Sequence, residues 1–268
     1  PSGFYHIYSL KSLTRLRDSV IRQRSLYMVK LTNILDHIFP EFKPFFNERF
    51  SATALFILEK YHTPEAIACI PDSDYEVIHC VSRGKFSFTK LISLRELATN
   101  TVGESNDIFE VELASILALY RTTEAEVIHL ENEIIPLIRE LNPKILTIPG
   151  IGDITAASII AEYGNISRFK SPAQMLSFAG LEPGYYQSGI MEFHGKMVKH
   201  GSSQLRCVLM NCTVPLIRFN PVFATYYHKK RKEEKSHRVA LSHVAKKLIR
   251  LIYTLESNGI DFDASKLR

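Results

Sequence analysis

No run of about eighteen apolar residues occurs in this 268-residue chain, so the sequence offers no helix that would cross a bilayer. The opening Pro1-Ser2-Gly3-Phe4-Tyr5-His6 has neither the basic stretch nor the apolar core of a secretion leader, and it has no methionine. These absences predict a cytoplasmic location and suggest that the chain is a piece of something longer. Only four cysteines are present, Cys69, Cys80, Cys207 and Cys212, with no C-x-x-C spacing. The last two lie five apart, on different faces of a helix, so the four read as buried free thiols and not as a zinc site. No G-x-S-x-G frame marks an esterase serine.

What is present is mostly helical pattern. Hydrophobic residues make up 46% and charged residues 23%, enough for one large or two modest cores. Leu13, Val20, Tyr27 and Ile34 recur every seven residues, with Leu16, Leu31 and Ile38 on the same face, until Phe39-Pro40-Glu41 ends the helix. Its outer face is basic, with Lys11, Arg15, Arg17, Arg22, Arg24 and Lys30. Shorter helices are predicted from Ser51 to Tyr61 and from Ser87 to Ala98, and 100–106 reads as a linker. Beyond it, Leu113, Tyr120, Val127, Ile134 and Leu141 keep a seven-residue step, interleaved with Phe109, Ile116, Thr123, Leu130 and Leu137, which is a coiled-coil seam. That helix is acidic between its seams, so it is expected to pack on the basic first helix, within the chain or across a homo-oligomer. Asp72, Asp74 and Glu76 read as acids at a helix start, where they complement the helix dipole.

Chemistry enters at Leu146-Thr147-Ile148-Pro149-Gly150-Ile151-Gly152-Asp153-Ile154-Thr155, which reads as helix, tight hairpin, helix. Glycines at 150 and 152 permit backbone angles closed to other residues and a close approach to a ligand, and the following helix presents free N–H groups. A phosphodiester fits such a place without any base being read, so Gly150, Ile151, Gly152 and Thr155 are predicted to bind nucleic acid. Net charge is only +5, yet thirteen Lys and Arg face two acids between Gly195 and Arg250, leaving the remainder acidic. That segment, with Lys229, Lys230 and Arg231, is an electrostatic footprint for a polyanion. Ser171 is placed to cap a helix starting at Pro172, and 179–189 reads as a loop containing Ser188.

Several motifs then combine: Ile148-Pro149-Gly150-Ile151-Gly152 with Thr155-Ala156, Arg168-Phe169-Lys170-Ser171, Phe178-Ala179-Gly180-Leu181-Glu182-Pro183, Gln187-Ser188-Gly189, and Gly195-Lys196-Met197-Val198-Lys199-His200-Gly201 ahead of Leu205-Arg206. With Val239-Ala240-Leu241-Ser242-His243-Val244-Ala245-Lys246-Lys247-Leu248, the run closely resembles the C-terminal transposase domain of a bacterial insertion-sequence family, the one numbered one hundred and ten. That family includes the Piv-type DNA invertases and the RNA-guided bridge recombinases. Leu13-Thr14-Arg15-Leu16-Arg17-Asp18 and Ile38-Phe39-Pro40-Glu41 extend the likeness upstream.

The resemblance implies a two-part active site, in which a RuvC-like acidic domain holds divalent metal and the C-terminal domain supplies a serine that links covalently to DNA. That serine falls on Ser188, while Lys196, Lys199 and Arg206 are assigned to strand holding. The acidic motifs belong upstream of Arg15-Leu16-Arg17, and residues 1–14 contain no acid. Mg²⁺ is therefore expected only with that domain, and this chain is assigned no metal ligand. Ser202 stands where the family usually has asparagine, and Glu234 where it usually has glycine.

The expected fold is mainly α, with long coiled-coil helices joined to a helix-hairpin-helix transposase domain. Its parts are 1–103 with the basic first helix, 104–141 as the coiled-coil helix and 142–268 as the transposase domain. Partners are DNA, a guide RNA in relatives of the bridge type, and a second copy, with no membrane, in a bacterial or archaeal cytoplasm near the nucleoid. A non-catalytic module for nucleic-acid binding and oligomerisation is the alternative. A base-excision glycosylase fits less well, because such enzymes place a catalytic aspartate beyond the hairpin where this chain has Ser171-Pro172-Ala173-Gln174.

Overall fold

The computed structural model describes residues 2–46, 50–188, 191–197 and 200–266, and for 2–6, 183–188 and 191–197 the backbone alone. The described residues are mainly α-helical. Two compact units emerge: unit 1 is Pro1–Asp18 with Ile128–Arg268, and unit 2 is Ser19–Val127. Charge divides with them, since unit 1 carries 22 Lys and Arg against 13 acids and unit 2 carries 11 against 15. No single helix among the described residues is long and apolar enough to cross a membrane.

Helix α1 spans Ser2–Ile38 and stops where Phe39-Pro40 was expected to stop it. Within unit 2 follow α2 (Phe42–Phe45), α3 (Ala52–Lys60), α4 (Pro64–Ala68), α5 (Tyr75–Val81) and α6 (Phe88–Thr99). Ser51, Thr63 and Ser87 cap α3, α4 and α6 by accepting from Ala54 N, Ala66 N and Lys90 N. The short α4 was not anticipated, while α5 begins where Asp72, Asp74 and Glu76 were read as acids at a helix start. Helix α7 then runs unbroken from Asp107 to Leu141, through Pro136.

The heptad seam of α7 is buried by this chain itself. Leu113, Ile116 and Tyr120 join Leu31, Ile34, Leu35 and Ile38 of α1 and Leu55, Ile57, Leu91 and Leu94 in the core of unit 2, while Leu130 and Ile134 are buried in unit 1. In α1, Leu10 is fully buried and Leu16, expected on the inner face, is half exposed. Arg17 donates to Glu131 of α7 at 2.5 and 2.8 Å, an ion pair of the kind the opposite charges predicted.

The segment 100–106 is tethered. Glu41 accepts from Thr101 Oγ1 at 2.6 Å and from Val102 N at 3.1 Å, and Glu104 N donates to His37 O at 3.0 Å. Gly103 makes the tether possible, because a Cβ there would lie 2.2 Å from the carbonyl oxygen of Ile38.

Unit 1 continues with α8 (Asp153–Tyr163), α9 (Pro172–Ala179), a two-stranded antiparallel ribbon of β1 (Pro183–Ser188) and β2 (Met191–Met197), then α10 (Ser203–Asn211), α11 (Thr213–Phe219), α12 (Pro221–Lys232) and α13 (His237–Asn258). The ribbon replaces the loop read at 183–188. Tyr185-Tyr186 and Phe193 flanking a short glycine-containing connection form a hairpin signal that the sequence carries. Val244, Ala245, Leu248, Ile249 and Ile252 of α13 and Ala156, Ala157, Ile159 and Tyr163 of α8 share the unit's core. All four cysteines are free, but only Cys212 is buried, so the expectation of buried thiols fails for Cys69, Cys80 and Cys207.

Gly103→Ala should cost about 1–3 kcal/mol of stability, since the added methyl meets backbone and not a flexible side chain. A urea midpoint unchanged from wild type would show that the tether yields freely.

Candidate nucleic-acid interface

The hairpin begins where α7 ends. Asn142 takes a positive φ of 42°, Pro143 follows, and Lys144–Thr147 make one 3₁₀ turn. The first arm of the expected helix-hairpin-helix is thus a single turn, because Pro143 and Pro149 leave no room for an α-helix between them. Glu256 fastens that turn to α13, accepting from Ile145 N at 2.7 Å; burial raises its pKa and the backbone N–H groups only partly offset this.

The two glycines differ in purpose. Gly150 has φ +96°, and a Cβ on it would lie 2.8 Å from Leu216 Cα, so this glycine serves the packing of α11. Gly152, before the first turn of α8, has nothing within 4 Å of a Cβ position and is exposed. Ile151 is buried and Thr155 half buried. Of the four residues predicted there, Gly152 is the exposed one. Asp153 occupies the same helix start and accepts from Arg139 at 2.8 Å.

Behind the hairpin, α8 carries a buried carboxylate. Glu162 is 4% exposed and accepts from Arg15 Nε at 2.7 Å, Arg15 Nη2 at 3.2 Å and Ser202 Oγ at 2.9 Å, with Lys11 Nζ at 3.9 Å. Burial pushes its pKa up, but the bonds from Arg15 and Ser202 and the charge of Lys11 outweigh it, and the net shift is down. Ser202 also caps α10, accepting from Leu205 N at 3.2 Å. One carboxylate therefore joins α1, α8 and α10.

Beside that junction the feet of the ribbon meet. Ser202 N donates to Phe178 O at 3.1 Å, and Arg206 Nη1 donates to Ala179 O at 3.3 Å. Gly180 (φ +65°) and Gly201 (φ +107°) allow the contact, for a Cβ on either would lie within 2.3 Å of a backbone oxygen. Arg206, predicted for strand holding, thus braces the ribbon's foot from a half-buried position. Ser188 is the last residue of β1, paired with Met191, and Lys196 lies in β2. Their side chains, and Lys199 altogether, fall outside the described residues. Ser171 precedes α9 as expected but makes no capping bond; Gln174 Oε1 accepts from Lys170 N at 2.7 Å instead.

The predicted basic segment folds onto itself. Lys229 and Arg231 are exposed in the last turn of α12, and Lys230 pairs with Glu233 at 2.7 Å. Lys230 and Lys247 flank the Tyr226 ring at 5.6 and 4.8 Å. Burial and then the nearby Arg250 lower the pKa of Lys246, and burial followed by Lys229 lowers that of Lys247. His243 is lowered by burial, then by Lys246 and Lys230. Cations distant in sequence therefore converge, and they repel one another. His243, Lys246, Lys247 and Arg250 were not singled out as site residues; their spacing opposite Val244, Ala245 and Leu248 on α13 was the available signal.

Among the described residues no group of three or more His, Cys, Asp or Glu side chains could hold a metal ion. Asp72 pairs with Arg95 at 2.6 Å, and Asp74 with Lys60 and Tyr61. These paired carboxylates do not fit the magnesium that the family likeness implies.

Residues 142–228 match the model of the transposase IS116/IS110/IS902 family. The chain is 29% identical over 125 residues to the insertion element IS110 uncharacterized 43.6 kDa protein of Streptomyces coelicolor, covering 46% of this chain and 31% of that protein. It is 28% identical over 130 residues to a pilin gene-inverting protein of Moraxella bovis, covering 46% and 40%. Over 75 residues it is 35% identical to the transposase for insertion sequence element IS1111A of Coxiella burnetii, covering 28% and 21%. The chain thus spans less than half the length of these relatives.

Glu162→Gln should lower stability by roughly 2–3 kcal/mol at neutral pH, less than for a fully buried pair because Arg15 is half exposed. The native pKa is depressed, so this stability is present above the unfolded carboxylate value and is lost as pH falls through the folded one. Denaturation midpoints of wild type and variant should therefore converge in acid; a constant gap down to the lowest pH would contradict the assignment.

Proposed function

We propose, from the match of residues 142–228 to the IS116/IS110/IS902 transposase family and the likeness to its relatives, that unit 1 binds DNA and takes part in cutting and rejoining it through Ser188. The observation that carries the binding reading is the convergence of Lys229, Lys230, Lys246, Lys247 and Arg250 on α12 and α13. Neutralising phosphates releases both the counterions of the nucleic acid and the mutual repulsion of these cations. Gly152 and the first amides of α8 supply an uncharged second contact to the backbone.

Ser188 ends a strand whose feet are clamped by Gly180, Gly201 and Ser202. In the proposed reaction its hydroxyl oxygen attacks a backbone phosphorus, a serine–phosphate bond forms, the strand's own P–O bond breaks, and the released strand hydroxyl takes the proton. Attack by a strand hydroxyl reverses these changes and reseals the diester without outside energy. The carboxylates for metal would come from an acidic domain that the described residues do not contain. In a second reading the chain binds nucleic acid through the α12–α13 cations and cuts nothing.

Nicked DNA incubated with the chain and Mg²⁺, with and without a family acidic domain added in trans, should give an adduct stable on denaturing gels only with that domain and only when Ser188 is present. Ser188→Ala forming the same adduct, or DNA retained solely under native conditions in every sample, would overturn the serine mechanism.

A further inference from the structure

Among the described residues Arg168 lies over two aromatic rings at once. Its guanidinium carbon lies 4.7 Å from the Phe169 ring centroid and 4.9 Å from that of Phe178. Those rings are held in turn: Phe169 and Phe178 are 5.5 Å apart, and the buried Tyr163 packs on both at 5.7 and 5.9 Å. Tyr163 itself is anchored by its hydroxyl donating to Met175 O at 3.2 Å. The backbone beneath Arg168 is fixed as well, since Asn165 Oδ1 accepts from Ser167 N and Ser167 Oγ at 2.9 and 2.7 Å.

Five arginines of this unit bond a protein oxygen: Arg15 meets Glu162, Arg17 meets Glu131, Arg139 meets Asp153, Arg206 meets Ala179 O and Arg231 meets Lys235 O, whereas Arg218, like Arg168, lies over a ring, that of Phe219 at 5.5 Å. Arg168 is exposed, and among the described residues no carboxylate or carbonyl accepts from its side chain. Stacking on ring faces orients the guanidinium plane while leaving its N–H edges open, and that fork matches two oxygens of one phosphate. The position is at the ribbon's foot, because Phe178, which carries the guanidinium, also accepts from Ser202 N.

We propose that Arg168, mounted on Phe169 and Phe178, is a preorganised site for a nucleic-acid backbone phosphate at the foot of the Ser188 ribbon, separate from the α12–α13 cation cluster. The inference rests on the reading that this chain binds DNA. It assigns a strand-holding role to a motif, Arg168-Phe169-Lys170-Ser171, that the rest of the site leaves without one.

The test is equilibrium binding of the full chain to a fluorescent mixed-sequence duplex across a salt series, with thermal melting of each protein alongside. Arg168→Ala and Arg168→Gln should each weaken binding about five- to tenfold at 0.1 M salt and reduce the slope of log K against log salt by about 1. The planar glutamine amide retains the stacking, so R168Q should melt with wild type. Arg168→Lys should recover the slope but only part of the affinity, since an ammonium keeps the charge and loses the fork. Wild-type binding matched by R168A and R168Q in affinity and slope would overturn this site and leave the DNA reading standing. Absence of wild-type binding would overturn both.

Discussion

Everything around the candidate site hangs on a carboxylate taken out of water. Glu162 is 4% exposed, and an unpaired carboxylate there would be intolerable. It persists because Arg15 supplies a two-point bond and Ser202 a third hydrogen bond. The same three groups belong to α1, to α8 and to the start of α10, so satisfying one charge fixes three elements. Serine at 202 performs two duties, accepting at the helix cap and donating to the carboxylate. Asparagine, usual at this place in the family that the sequence resembles, has the same pair of capabilities, which accounts for the exchange in chemical terms. Since Ser202 N also bonds Phe178 O, the junction sets the foot of the ribbon that ends β1 at Ser188.

Charge supplies the second organising theme. Unit 2 is acidic overall and unit 1 basic, and within unit 1 the cations sort by partner. Those that shape the fold are paired to carboxylates: Lys11, Arg15, Arg17 and Arg139. On α12 and α13, Lys230 pairs with Glu233, while burial together with the charges of Arg250 and Lys229 lowers the pKa of Lys246 and Lys247 respectively. Repulsion among such cations falls when an anion approaches, and the DNA proposed for this chain is such an anion.

Much of this was legible in the sequence where one local rule dominates. The seven-residue steps located α1 and α7 because long amphipathic helices state their period many times over, and the stretches read from Ser51 and Ser87 began within a residue of α3 and α6. The basic segment was visible as a count. Contacts between distant residues were hidden: nothing in the sequence says that Arg15 meets Glu162, that Gly150 packs against α11, or that Lys229 lies near Lys247. The ribbon was missed for another reason. Gly180, Gly184 and Gly189 read as loop punctuation, and they outweighed the aromatic residues that mark strands.

The central claim is that the α12–α13 cations and the open end of α8 together form a phosphate-binding face. The affinity of the wild-type chain for a DNA duplex, measured from low to physiological salt, tests it most directly. With about four phosphates neutralised, log K should fall linearly against log salt with a slope of about −3.5. A nearly flat slope, whatever the affinity, would contradict the account.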